Sequence, residues 1–259
     1  MMNVNKLFDL SGKVAIVTGG GRGLGKQIAI AFAEAGASKI VLCSRNVGAC
    51  QEVSDYLQSI GVKSTAIKCD VTKHADVQKV VDQTVAEYGV IDILVNNSGA
   101  SWGASAEDMP LEAWQKVMNV NVTGVFLMSQ AVGKVMLQQG YGKIINIASV
   151  AGLKGSDPQS MNAIGYNTSK GAVITFTKDL AVKWGPRGIH VNAIAPGFFP
   201  TKMTKGVLEN GFERIIESTP LRRVGTDQDL KGAAVYLASS ASDFVAGSLL
   251  VIDGGTHAK

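Results

Sequence analysis

Seven short runs of mostly apolar or β-branched residues recur along the chain, at 14–18, 39–43, 63–68, 91–95, 143–147, 190–194 and 249–252. Strands covered by helices on both faces of a parallel sheet lose the in–out alternation of half-solvated strands and read this way. Helical periodicity fills the gaps. Residues 23–35 are Ala-rich and run into Gly36. Residues 76–88 place Val77, Val80, Val81 and Val85 on one face, and 166–184 end before Gly185-Pro186. Residues 227–238 follow Thr226, which predicts an N-cap. Strand alternating with helix over the whole length predicts an α/β fold, a doubly wound parallel sheet of about seven strands flanked by helices.

At 259 residues, length alone leaves one domain or two. No Pro, Gly or Ser linker, repeat or low-complexity tract divides the chain, so it reads as a single domain over 1–259. The least regular stretch, 198–220, reads as a helical lid or loop over a site. The net charge is only +4 and no basic block stands out, which disfavours nucleic acid as a partner. Cys43, Cys50 and Cys69 form no CxxC or Cys/His cluster, so neither a disulfide framework nor a metal site is expected, and a reduced compartment is the simpler reading. The first residues carry no long apolar stretch or cleavage pattern, and no later segment reads as a membrane span. The expectation is a cytoplasmic protein without a membrane partner.

The first strand candidate runs into Thr18-Gly19-Gly20-Gly21-Arg22-Gly23-Leu24-Gly25 and then a helix. Glycines admit a phosphate close to the backbone, and the helix turns its N-terminus toward the anion. The spacing is G-x-x-x-G-x-G rather than G-x-G-x-x-G, and a tight strand–helix connection would use the same residues. In a Rossmann-type sheet a carboxylate for the ribose 2′-hydroxyl is due at the end of the second strand. Cys43-Ser44-Arg45-Asn46 stands there instead. Arg45, with Arg22 in the loop, can pair with a 2′-phosphate that a carboxylate would repel. Either arginine alone reads as a solvated surface charge. Together, with the carboxylate missing, they favour NADP(H) over NAD(H).

Tyr166 and Lys170 lie four apart at the start of a helix, so both side chains reach one ligand. A phenol with a pKa of about 10 is a poor acid–base group at neutral pH, and a nearby ammonium lowers it. Tyr-x-x-x-Lys also arises by chance. Taken in order, however, Thr18-Gly-x-x-x-Gly-x-Gly25, Asp70-Val71, Asn96-Asn97-Ser98-Gly99, Asn121 in Asn-Val-Thr-Gly, Ser149, Tyr166-x-x-x-Lys170, Pro196-Gly197 and Asp253-Gly254-Gly255 resemble the short-chain dehydrogenase/reductase family over essentially the whole chain.

The resemblance implies an oxidoreductase moving a hydride between NADP(H) and a carbonyl or secondary alcohol. It implies that Tyr166 exchanges a proton with the substrate oxygen, that Ser149 polarises it, and that Lys170 holds the nicotinamide ribose and lowers the tyrosine pKa. Asn121 would position a water leading from Lys170 to solvent. Asn119 is an alternative, but the pattern around Asn121 matches better. The implied cofactor contacts are Gly19, Gly21, Arg22, Gly23, Leu24 and Gly25, then Ser44 and Arg45, with Asp70 and Val71 at the adenine. Asn97 and Gly99 would line the adenosine ribose, and Pro196, Gly197 and Thr201 the nicotinamide side. Asp70 and Asn97 read equally as turn residues. The family also implies a homotetramer, with the helices carrying Phe126 and Tyr166 at one interface and the C-terminal strand at another.

Two departures stand out. Ser98 replaces the usual Ala, and Ser149 and Tyr166 are 17 positions apart, a few more than is common in the family. The extra residues fall in 153–164, which include Pro158, Gln159 and Ser160. The runs around Trp102 and around 195–204 resemble a branch holding 3-oxoacyl-acyl-carrier-protein reductases, the rhamnolipid β-ketoacyl reductase and gluconate 5-dehydrogenase-like enzymes. Trp102, Phe198, Phe199 and Met203 can wall an acyl chain or equally pack a lid. The preferred expectation is NADPH-dependent reduction of a 3-oxoacyl thioester, with a substrate linked to acyl carrier protein or CoA. The alternatives are a sugar-acid or polyol dehydrogenase and, from another class, a cofactor-sensing protein without turnover.

Overall fold

A computed structural model describes residues 3–157 and 161–258, so the part of the long Ser149–Tyr166 segment at Pro158, Gln159 and Ser160 lies outside the described residues. A helical turn, α1 (Val4–Leu7), precedes β1 (Val14–Thr18), α2 (Gly23–Glu34), β2 (Lys39–Ser44), α3 (Val47–Ser59), β3 (Lys63–Lys68) and α4 (His74–Tyr88). The second half runs β4 (Ile93–Asn96), α5 (Leu111–Met118), a π-turn (Asn119–Thr123), α6 (Gly124–Gln139), β5 (Gly142–Ile147), α7 (Ile164–Trp184), β6 (Ile189–Pro196), α8 (Lys205–Ser218), α9 (Lys231–Ala238) and β7 (Leu249–Ile252). The strands form one sheet in the order β3-β2-β1-β4-β5-β6-β7, and every pairing is parallel.

Successive side chains on a strand point to opposite faces. On β1, Ala15 and Val17 join Ile28 and Phe32 of α2 and Leu237 of α9 in one apolar layer. Ile16 turns the other way, to Val77 of α4, Met128 of α6 and Leu180 of α7. Both layers are dry, which is why the strands read as continuous apolar runs. The chain builds outward from β1 to β3 and then returns to place β4 on the other side of β1. The carboxyl ends of β1 and β4 therefore border a crevice at the point where the strand order reverses.

Several boundaries differ from the sequence reading, and two of them have a visible cause. The fourth strand starts at Ile93 because the Ile91 N–H bonds the Gln139 side chain instead of a strand. Asp92 keeps backbone bonds to both neighbours, donating to the Val14 carbonyl and accepting from the Lys143 N–H, each at 2.9 Å, while its carboxylate accepts the Val14 N–H. The helix expected over 227–238 begins only at Lys231. Thr226 does not cap it: its hydroxyl donates to Asp229, whose carboxylate also pairs with Arg223, and these bonds hold a turn. The stretch 198–220 contains α8, with non-helical backbone at Gly211.

The sequence predicts no membrane span, yet Leu111–Gln139 forms a continuous 29-residue helical run that holds an 18-residue window of mean hydropathy 1.3. More than half of that window is buried inside the domain. Val117, Val120, Met128, Val132 and Met136 are all covered, so its apolarity belongs to a core helix.

Candidate active site

The crevice opens into a cleft of about 540 Å³ along the carboxyl ends of the strands. Its first wall is the turn after β1. Gly19 and Gly23 adopt φ of +65° and +52°, which favours glycine. A Cβ on Gly21 would lie 2.7 Å from the Ala49 backbone, and one on Gly23 3.3 Å from the Thr201 methyl. Arg22 caps α2 through backbone geometry alone, with no side-chain hydrogen bond. The N–H groups of the first turn are thus left for an anion. Gly25 does not line the cleft. It packs behind the turn, where a Cβ would lie 2.5 Å from the Gly19 carbonyl. The remaining glycines of the expected set, with Leu24, line it.

Arg22 and Arg45 are both exposed and both border the cleft. Neither guanidinium makes a hydrogen bond or ion pair among the described residues. Ser44 also borders the cleft, but its hydroxyl donates to the Asn46 carbonyl at 2.8 Å and accepts from the Cys50 thiol. Asp70 and Val71 line the cleft after β3. Burial works to raise the Asp70 carboxyl, yet two hydrogen bonds from Thr72 and the charges of Arg45 and Lys73 bring it below its ordinary value. Asn97 serves both the turn and the cleft: its side chain donates to the Thr18 carbonyl at 2.9 Å while the residue lines the cavity beside Gly99. Pro196, Gly197 and Thr201 close the far wall. The sequence reading missed Asn46, Cys69, Val120, Lys202 and Thr204 as lining residues. Asn46 follows Arg45 and Cys69 precedes Asp70, so adjacency to chosen residues was the available signal.

Ser149, Tyr166 and Lys170 meet at one end of this cleft. Ser149 follows β5, where its hydroxyl accepts the Ala151 N–H at 3.2 Å, and it hydrogen-bonds the Tyr166 phenol. Tyr166 and Lys170 occupy the start of α7. The Lys170 ammonium is buried, donates to the Ile147 carbonyl at 2.6 Å and lies 5.5 Å from the Tyr166 ring centroid. Burial raises the Tyr166 phenol above its ordinary value, opposed by the Ser149 bond. This reverses the expected direction, because dehydration of the phenol outweighs any help from the lysine, whose ammonium is turned to a backbone carbonyl. The same burial lowers Lys170 to about 8.

Asn121 stands behind the cleft wall, in the π-turn between α5 and α6, and is buried while Asn119 is exposed. Wide helical turns of this kind are frequent at functional sites. The Asn121 carboxamide accepts from the Ala100 N–H at 2.7 Å and donates to the Ala100 carbonyl at 2.9 Å and the Ser169 hydroxyl at 2.8 Å. Of the four apolar side chains near the site, Met203 and Phe199 line the cleft, and Phe199 is nearly buried in the core. Phe198 lines a separate cavity, and Trp102 is 46% exposed and lines neither. The lid-packing alternative thus accounts for Phe199.

The lysine carries a stability prediction. Its folded pKa of about 8 lies below the ordinary 10.5. Between those values the unfolded chain binds more protons, so stability rises with pH across that window. Below pH 8 the buried ammonium costs roughly 3 kcal/mol at 1.36 kcal/mol per pKa unit. Lys170→Met is expected to stabilise the cofactor-free protein against urea at pH 7 and to flatten the rise between pH 8 and 10.5. Unchanged stability at pH 7 with the rise intact would contradict this.

A family model described as "Enoyl-(Acyl carrier protein) reductase" matches residues 19–257. A 2-dehydro-3-deoxy-D-gluconate 5-dehydrogenase of Bacillus subtilis is 40% identical over 250 residues, covering 96% of each chain. A 3-oxoacyl-[acyl-carrier-protein] reductase of Synechocystis is 37% identical over 247 residues, 95% of this chain and 97% of that one. Among solved structures, a gluconate 5-dehydrogenase from Burkholderia cenocepacia in complex with NADP and tartrate superposes with a TM-score of 0.94 at 37% identity, covering 99% of this chain and 100% of that one. With a parallel seven-stranded sheet, a glycine-walled crevice and these relatives, the chain belongs to the short-chain dehydrogenase/reductase family, oxidoreductases that use a nicotinamide cofactor and act on CH–OH groups.

Proposed function

We propose that this enzyme interconverts a ketone and a secondary alcohol with NADP(H), and that its substrate is a sugar acid or related polyhydroxy compound. The observation that carries the cofactor reading is the pair of guanidinium groups on the cleft rim, Arg22 at the start of α2 and Arg45 just after β2 where a carboxylate would select the 2′-hydroxyl, neither paired among the described residues. The glycine turn and the uncapped start of α2 fit a pyrophosphate. Asp70 and Val71 would hold the adenine, Asn97 and Gly99 the adenosine ribose, and Pro196, Gly197 and Thr201 the nicotinamide side. When bound, the cofactor supplies or accepts the hydride.

The chain's own residues handle the proton and the oxygen. The Ser149 hydroxyl and the Tyr166 phenol converge on the position of the substrate oxygen. A phenol raised by burial holds its proton at neutral pH, so Tyr166 is an acid toward the oxygen that becomes the alcohol. Lys170 anchors the ribose hydroxyls and brings positive charge to the site as the phenolate forms. Asn121 holds the Ala100 loop against α7 and orders the path by which a proton returns from solvent. The segment 198–220 covers the substrate end. The assembly is a homotetramer, and Phe126 on α6, 45% exposed, is available for one interface.

The substrate reading departs from the thioester preferred from sequence. Only Met203 and the nearly buried Phe199 remain of the expected acyl wall, while Ser98, Lys202 and Thr204 bring polar groups to the cleft. Relatives named for gluconate and 2-dehydro-3-deoxygluconate support this choice. The thioester remains a second reading because Met203, 45% exposed, offers an apolar surface at the cleft. Following NADPH consumption with 5-ketogluconate and with acetoacetyl-CoA separates them. The proposal expects a kcat/KM at least about tenfold higher for the keto acid, equivalent to about 1.4 kcal/mol. Turnover of acetoacetyl-CoA alone would overturn it.

A further inference from the structure

Ser169 precedes Lys170 on α7 and is completely buried. Its hydroxyl makes two hydrogen bonds of opposite sense. It donates to the Tyr166 carbonyl at 2.7 Å and accepts from Asn121 Nδ2 at 2.8 Å. Helix geometry sends the Lys170 N–H to that same Tyr166 carbonyl, so the hydroxyl bonds directly to the turn that carries both residues.

A serine inside a helix often satisfies itself by bonding back to a carbonyl one turn earlier, and needs nothing else. Ser169 does more, because Asn121 completes its own inventory through it. A carboxamide has two N–H donors. Asn121 gives one to the Ala100 carbonyl and the other to Ser169, and takes the Ala100 N–H on Oδ1. The bonds therefore run without a gap from the loop beside Gly99, through the π-turn, to the backbone of Tyr166. Loss of the hydroxyl would leave an Asn121 donor buried without its partner and free the turn to shift.

We infer that Ser169 is a positioning residue, tying the Tyr166–Lys170 turn to the Asn121 π-turn and the Ala100 loop. The inference rests on the reaction proposed above. Ser169→Ala and Ser169→Cys test it together. Cysteine fills the space but hydrogen-bonds weakly, which separates bonding from packing. Both variants are expected to lower kcat about tenfold or more, the effect of losing about 1.4 kcal/mol, with KM for NADPH and for the ketone changed less than about twofold. Backbone amide exchange by mass spectrometry should quicken in segments 98–101 and 164–171 of both. A cysteine variant with wild-type kcat and wild-type exchange would overturn the inference by showing that only volume matters. Should the wild-type enzyme reduce no ketone at all, the reaction proposal falls by itself. Ser169 is then judged by exchange alone: faster exchange in both variants supports the tie, and unchanged exchange in both overturns it.

Discussion

Replacing Tyr166 by phenylalanine is expected to lower kcat by about 10²–10⁴-fold, the usual worth of a positioned general acid, or roughly 3–5 kcal/mol of barrier. NADPH affinity should change less than about twofold. The substitution removes one oxygen, and the ring remains at the start of α7 beside Lys170. The lost interaction belongs to the transition state, so kcat and kcat/KM should fall together. Stopped-flow turnover and a fluorescence titration of NADPH measure the two halves. Wild-type turnover in the variant would remove Tyr166 from the proton step. A large loss of NADPH affinity would mean that the phenol works in cofactor binding. Ser149 contributes to the same expectation: with its hydroxyl on the phenol, the variant loses the second of two converging donors.

The second large effect concerns the arginines on the rim. Arg45→Asp is expected to lower the NADPH-to-NADH ratio of kcat/KM by roughly 10²-fold, because a charge-assisted bond is lost, a repulsion is added and a 2′-hydroxyl gains an acceptor. Arg45 has no partner among the described residues to compensate, and its charge already bears on Asp70 across the cleft. The ratio, measured with one ketone at fixed ionic strength, isolates the effect from any general loss of activity, since exposed charges are screened by salt. An unchanged ratio would make Arg45 a surface charge, as either arginine alone reads in the sequence.

The fold was legible because both faces of the sheet are dry. Ala15, Ile16 and Val17 belong to two different helical layers, and that burial wrote the apolar runs of the inner strands, while the edge strand β3, with Lys63, Ser64 and Lys68, reads less plainly. Boundaries failed where side chains replaced backbone partners, as Gln139 does at Ile91 and Asp229 does at Thr226. The line of the cleft was also visible, since glycines at strand ends and an Arg in place of a carboxylate are local signals. What stayed hidden depends on contacts distant in sequence. Nothing near Tyr166 announces that burial raises its phenol, or that Gly25 packs on the Gly19 carbonyl instead of facing the cleft. Ser169 reads as an ordinary helical serine until Asn121, 48 positions earlier, is seen to bond it. Phe199 likewise looks freely available in sequence, and the fold buries most of it under the Gly225 turn.

A crystal structure of the enzyme with NADP bound tests the central claim most directly. The 2′-phosphate is expected between Arg22 and Arg45, the pyrophosphate on the glycine turn at the start of α2, and the nicotinamide beside Tyr166 and Ser149. A 2′-phosphate pointing away from both arginines, or a nicotinamide remote from Tyr166, would contradict it.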